Sequence, residues 1–131
     1  MLFADSAGPD QFPPIAVIDD DAAVRESLGI VLRRLGRPVR IFGTAEDFFA
    51  AAQDGCPACV VMDINLPGMC GWSAIRALRE AGCESPVVAI SGRRLHSDEA
   101  LARGATAALE KPLSPGQLLD TLRDCLTSPN G

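Results

Sequence analysis

Three aspartates, Asp19, Asp20 and Asp21, follow the apolar run Ile15-Ala16-Val17-Ile18 without a break. A fourth, Asp63, closes the apolar stretch ACVVM at 58–62; Ser91 closes PVVAI at 86–90; Lys111 comes just after TAAL at 106–109. Crowded carboxylates raise one another's pKa unless a cation sits among them. The acidic run is therefore either a solvated turn or part of a cation site. Oxygen ligands from Asp suit a hard divalent ion, and Mg²⁺ takes one or two carboxylates together with waters and phosphate oxygens. A carboxylate beside such an ion and an ammonium can act as a nucleophile toward phosphorus. Phosphoryl transfer needs little beyond positioning and charge neutralisation. The hydroxyl of Ser91 and the ammonium of Lys111 could each hold a phosphoryl oxygen.

These residues serve such chemistry only if the fold brings them together. The short apolar runs alternate with segments of helical spacing along the whole chain. After the aspartates, Val24, Leu28, Val31, Leu32 and Leu35 recur at helical intervals and Gly36 closes the segment. PVRIFG at 38–43 reads as a second, less buried strand, and Thr44 with Asp47 resembles a capping box opening a helix with Phe48, Phe49 and Ala52. A third helix is expected from about Trp72 to Ala81, with Ile75 and Leu78 inward, and a weak fourth around 98–103 before Gly104. Ser114 caps the last, with Leu118, Leu122, Cys125 and Leu126 on one face. Repeated βα alternation implies an α/β fold, a parallel sheet covered by helices on both faces. Ligands of such sheets bind outside the carboxyl ends of the strands. Asp19, Asp20, Asp63, Ser91 and Lys111 all stand at those ends.

The 131 residues suit one domain, expected to span 15–127 between a loose lead-in at 1–14 and a tail at 128–131. The lead-in carries an acid and no basic region, so it does not read as a secretory signal. No apolar run approaches the roughly 20 residues of a membrane span. A net charge of −5 argues against the chain gripping nucleic acid by itself. The odd cysteine count (Cys56, Cys59, Cys70, Cys83 and Cys125) reads as reduced thiols in a cytoplasm, not a disulfide framework. Cys56 and Cys59 spell CxxC, but they precede a strand, whereas a redox pair of that spacing opens a helix; packing thiols are expected.

The stretches VIDDDAAVR (17–25), VVMDINLPGMCG (60–71), AISG (89–92), RGA (103–105) and LEKPL (109–113), in that order, resemble the response-regulator receiver domains of two-component signalling. Within that family the chain looks most similar to receivers of nitrogen-fixation-type transcriptional regulators. The resemblance implies a single doubly wound (βα)5 domain, flavodoxin-like, with a five-stranded parallel sheet of order 2-1-3-4-5. It makes Asp63 the phosphoacceptor, fed by a sensor histidine kinase or a histidine phosphotransfer protein. Mg²⁺, or alternatively Mn²⁺, would be held by Asp20, Asp63 and the backbone carbonyl of Asn65, with Asp19 acting through water. Ser91 stands at the switch hydroxyl, and Lys111 at the family's lysine, whose bond to Pro112 is expected to be cis. Asp21 has no ligand role and reads as a solvated turn residue.

Two departures bear on output. The family's aromatic three residues before the lysine is here Ala108, and Leu109 would face the other side of the strand. Ser91 and Lys111 are about two residues closer together than in the family, a shortening that falls in RRLHSDEALA around the fourth helix. Arg93 is either a loop residue or a modulator of water access, His96 is expected exposed, and Trp72 is expected to pack at the start of the third helix. The leading expectation is a phosphorylation-dependent switch, stand-alone or part of a longer regulator, with homodimerisation on phosphorylation left open. The alternative is an interaction module with impaired switching. A true enzyme is disfavoured: an aspartate phosphatase would carry its nucleophile and acid as DxD at the end of the first strand, whereas here the acids are contiguous and the nucleophile candidate ends the third, and no GxGxxG follows the first strand.

Overall fold

The computed structural model describes residues 13–51, 55–93 and 97–127. Five parallel strands, β1 (Ile15–Ile18), β2 (Val39–Phe42), β3 (Cys59–Asp63), β4 (Val87–Ser91) and β5 (Ala107–Glu110), form one sheet of order β2-β1-β3-β4-β5. The connections carry helices α1 (Ala22–Leu32), α2 (Ala45–Ala51), α3 (Gly71–Glu80) and α4 (Ser97–Ala102), and α5 (Pro115–Thr127) follows β5. This is the flavodoxin-like strand order expected. The thirteenth to fourteenth residues are Pro13-Pro14, and the lead-in before them lies outside the described residues, as do Ala52, His96 and the tail.

The central strands are apolar throughout because helices cover both faces: every residue of β1, β3 and β4 is buried. Side chains alternate between two cores. Ala16, Ile18, Val60 and Met62 pack with Phe48 of α2, Ala74, Ile75 and Leu78 of α3 and Ala100 of α4. Ile15, Val17, Cys59 and Val61 pack with Leu28 and Leu32 of α1 and Leu118, Leu122 and Cys125 of α5. Each fully buried Val, Leu or Ile contributes about 1.5–3 kcal/mol. The edge strands β2 and β5 are only partly covered, which accounts for their weaker apolar pattern. On β5, Ala108 lies toward the α3 core and Leu109 toward the α1–α5 core, so no large side chain takes the place of the missing aromatic on that face.

The helix ends follow local chemistry. Thr44 Oγ1 accepts from the Asp47 amide at 3.0 Å, and Ser114 Oγ from the Gln117 amide at 3.4 Å. Asp21, expected as a solvated turn residue, instead caps α1: its Oδ1 accepts from the Ala23 amide at 2.9 Å and the Val24 amide at 3.4 Å. An aspartate in extended backbone just before a helix satisfies amides that have no partner within it.

The thiol expectation fails at one pair. Cys56 and Cys83 form a disulfide with Cα atoms 6.1 Å apart, while Cys59, Cys70 and Cys125 are free. The bond unites the segment entering β3 with the α3–β4 loop, two stretches whose approach depends on how α3 packs back onto the sheet. Cys59 turns into the α1–α5 core, so the CxxC spacing does not pair its own two members.

Arg79 secures the same end of the molecule. Its Nη1 donates to the carbonyls of Cys83 (3.0 Å) and Ser85 (2.7 Å), and its Nε and Nη2 to that of Gly104 (3.2 and 2.8 Å). One planar guanidinium thereby joins the α3–β4 loop to the α4–β5 loop. Arg79→Met keeps the stem and removes every donor, leaving three partly buried carbonyls without this partner. We expect a loss of about 2 kcal/mol, measured as a lower urea midpoint with unchanged slope.

Candidate functional site

Parallel strands deliver their carboxyl ends to a single rim, and the residues there are polar. Asp19 follows β1, its amide donating to Phe42 O at 3.1 Å; Asp63 ends β3, Ser91 ends β4, and Lys111 follows β5 with its amide on Ser91 O at 2.8 Å. Asp19, Asp63 and Ser91 are 0%, 3% and 4% exposed, the buried polar residues of the described core. Asp20, next along, is exposed.

The structure draws these groups together. One carboxylate oxygen from each of Asp19, Asp20 and Asp63 lies within 4.8 Å of the others. Lys111 Nζ stands 2.9 Å from Asp19 Oδ2 and 3.1 Å from Asp63 Oδ2. Burial, the largest influence on that ammonium, pushes its pKa down. Hydrogen bonds and charge from Asp19 and Asp63 outweigh it and hold the pKa above the ordinary 10.5. Lys111-Pro112 is a cis peptide bond, as expected.

Backbone and side-chain donors fix the remaining oxygens. Asp63 Oδ1 accepts from the Asn65 amide at 2.8 Å, and Asp19 Oδ1 from the Asp21 amide at 2.9 Å. Ser91 Oγ accepts from Asn65 Nδ2 at 3.2 Å and from the Arg93 amide at 3.1 Å. Arg93 thus reaches the site through its backbone, and its side chain is exposed. Asn65, expected to contribute only a carbonyl, also bridges Asp63 and Ser91. Arg25 Nη1 donates to Asp19 O at 2.8 Å, folding the second turn of α1 back over the acidic turn. The sequence stretch containing Arg25 was notable, but its donor role depends on the helix's direction of departure.

Electrostatics defines what the rim can hold. Three carboxylates against one ammonium leave two negative charges uncompensated, the charge of one divalent cation. Asp19 Oδ2 is buried, and the Lys111 ammonium beside it at 2.9 Å is shared with Asp63 Oδ2. A buried carboxylate oxygen in that condition is costly unless another cationic partner completes it. The donor set, all oxygen, fits Mg²⁺ and not a soft metal. Trp72, half-buried at the start of α3, lies under Arg103, whose Cζ is 5.1 Å from the ring centroid.

The chain is similar to known proteins along most of its length. The sequence pattern of the response regulator receiver domain matches residues 15–123. The chain is 32% identical over 122 residues to the response regulator protein TodT of Pseudomonas putida, covering 89% of this chain and 52% of the relative. It is 34% identical over 118 residues to the transcriptional regulatory protein FixJ of Azorhizobium caulinodans, covering 86% and 54%. The chain therefore spans little more than half the length of these curated relatives. Among solved structures, the BeF3-activated DrrB receiver domain superposes with a TM-score of 0.76 at 29% identity, over 90% of this chain and 100% of that one. Vibrio cholerae chemotaxis protein CheY4 superposes with a TM-score of 0.80 at 25% identity, over 88% and 99%.

Proposed function

Because the chain belongs to the response regulator receiver domain family, we propose that it is a switch phosphorylated on Asp63 by a sensor histidine kinase or a histidine phosphotransfer protein. In the transfer, an Asp63 carboxylate oxygen forms a bond to phosphorus while the phosphorus–nitrogen bond of the donor's phosphohistidine breaks. The electron pair of that bond leaves with the imidazole, and the product is an acyl phosphate.

The observation that carries this reading is the double charge deficit at the strand ends, where a buried carboxylate shares one ammonium with its neighbour. Asp20, Asp63 and the Asn65 carbonyl would hold Mg²⁺, or Mn²⁺ in its place, with Asp19 acting through water. That cation supplies neutralisation of the charge on the transferring group. Lys111 turns its ammonium from the Asp63 carboxylate to a phosphoryl oxygen, a movement of one flexible side chain. Ser91, whose oxygen only accepts in the bonds described, retains its own proton to donate to another phosphoryl oxygen. The amide of Asn65 keeps the acceptor carboxylate oriented. The reading places the chain in the cytoplasm with its kinase; among the described residues no helix is long and apolar enough to cross a membrane. Its output goes to a separate protein or to an effector domain of a longer regulator. Direct nucleic-acid binding by this domain is not expected, and homodimerisation after phosphorylation remains one route of output.

Intact mass after incubation with Mg²⁺ and acetyl phosphate tests the proposal. The wild type is expected to gain one phosphoryl group, with Asp63→Asn and an EDTA-treated sample gaining none. An unchanged mass with both acetyl phosphate and a phosphorylated histidine phosphotransfer protein would sink it.

Ala108 favours a second reading, a module that binds its partner without switching, since the α3-facing side of β5 carries only a methyl group there. A beryllofluoride titration separates the two. Switching changes Trp72 fluorescence, because the ring lies under Arg103 just past α4, whereas a passive module leaves it constant.

A further inference from the structure

The signalling chemistry makes no use of the disulfide, which lies at the opposite end of the sheet from Asp63. Cys56 precedes β3 and Asp63 ends it, about 20 Å apart along an extended chain. We propose that Cys56 and Cys83 are a reversible thiol–disulfide site through which a glutathione-type disulfide acts on the α4–β5 region. The proposal rests on the cytoplasmic reading above, since in an oxidising compartment the same bond would be a permanent staple.

Three observations support reversibility and a route outward. First, access differs between the sulfurs: Cys56 is half-buried while Cys83 is 2% exposed. Cys56 is thus the thiol that meets an external disulfide, and Cys83 the one that resolves it. The Cys56 thiolate attacks one sulfur of the oxidised glutathione and expels one glutathione thiol. The Cys83 thiolate then attacks Cys56 in the mixed disulfide and expels the second. The two protein thiols lose their protons and are oxidised, and the glutathione disulfide is reduced to two thiols.

Second, the surroundings accommodate both states. Ser85 Oγ lies 2.8 Å from Cys56 Sγ and 3.3 Å from Cys83 Sγ, and its own proton is given to the Pro57 carbonyl. Around the disulfide, that oxygen makes contact only; once the bond is reduced, it can accept an S–H from either cysteine. Reduction therefore does not leave a thiol stranded. Cys59 does not compete for Cys56, because it faces the other core.

Third, the disulfide has a continuous connection to another loop. Cys83 and Ser85 present their carbonyls to Arg79 Nη1, and the other nitrogens of that guanidinium hold the Gly104 carbonyl. Beyond Ser85, Val87 and Thr106 exchange two bonds, Thr106 N to Val87 O at 2.7 Å and Val87 N to Thr106 Oγ1 at 3.1 Å. Oxidation fixes the 82–86 loop against the β3 entry and, through Arg79, the turn that ends α4. Reduction removes that covalent tie and leaves the loop held by hydrogen bonds alone.

The test uses the full chain equilibrated in glutathione buffers of graded ratio. Samples are quenched with N-ethylmaleimide in denaturant and weighed intact. The reduced limit should carry five adducts and the oxidised limit three, in one reversible step that Cys56→Ser abolishes. Hydrogen exchange should be several-fold slower at Ala105–Ala107 in the oxidised protein. An adduct count that never changes, a bond that reduced glutathione cannot reopen, or equal exchange in both states would each overturn the proposal. Phosphoryl uptake is followed in the same samples. Its absence alongside a normal redox transition would count against the receiver reading and leave the thiol site standing.

Discussion

Lys111→Met is expected to destabilise the fold by about 3 kcal/mol at neutral pH, and Mg²⁺ is expected to restore part of that loss. The substitution keeps the length of the stem and removes the only cation in contact with the buried carboxylates of Asp19 and Asp63 among the described residues. Two negative groups would then face each other with little water between them, and breaking a buried pair in this way exposes the full desolvation cost of the survivors. A divalent ion supplies the missing charge at the same place, so added Mg²⁺ should raise the urea midpoint of the variant more than that of the wild type. Equal responses to Mg²⁺ would mean that the ion does not bind among these carboxylates.

The alkaline limb gives an independent check on the same contact. The folded-state pKa of Lys111 lies above the ordinary 10.5. A raised pKa means that the ion-pair contribution is fully present below the unfolded value and is lost as pH rises through the folded one. Wild-type urea midpoints should therefore carry this contribution unchanged through neutral pH and shed it in the alkaline range. Lys111→Met has no ammonium to lose, so the gap between the two proteins should narrow there. A gap that stays constant would place the stabilising role of Lys111 in its packing and not in its charge.

What could be read from the residues and what could not divides along physical lines. The strands were legible because a parallel strand covered on both faces needs an unbroken apolar run, and IAVI, CVVM and VVAI are such runs. The site was legible because its members stand at the strand ends, where topology alone makes them converge. Asp21 was misread although its signal was present: an acid in front of a helical apolar pattern is a cap as readily as a turn residue. Arg79 gave no such signal. On a helical projection it flanks the apolar face of α3, where an arginine reads as a solvated border residue, and its value comes from a long side chain reaching carbonyls in two loops that only tertiary packing brings near. The Cys56–Cys83 bond was hidden for the same reason. Its members are separated by 27 positions, and the odd count and the nearby Cys59 both pointed elsewhere.

Gly71→Ala is the substitution expected to couple fold and site most strongly. The chain leaves β3 at Asp63, makes the loop through Asn65, and returns so closely that the Gly71 amide donates to Ile64 O at 3.0 Å. A methyl group on Gly71 would press on the carbonyl oxygen of Asp63 and stand 2.6 Å from Ile64 Cα. Both are backbone atoms, so no side-chain rotation relieves the contact, and either α3 moves off the sheet or the end of β3 shifts. We expect a cost of about 3 kcal/mol or more, at the upper end for overpacking. Because the displaced atoms belong to Asp63 itself, phosphoryl uptake from acetyl phosphate should also slow in the fraction that remains folded. Gly116→Ala provides the contrast: in the first turn of α5, its added carbon meets nothing nearer than Ser114 Oγ at 4.0 Å. That change should raise stability by about 0.5–1 kcal/mol, through the smaller backbone entropy of alanine, and leave uptake untouched. If Gly71→Ala lost stability yet kept the wild-type uptake rate, α3 would have yielded and not β3, and the loop would be less tightly joined to Asp63 than the close approach implies.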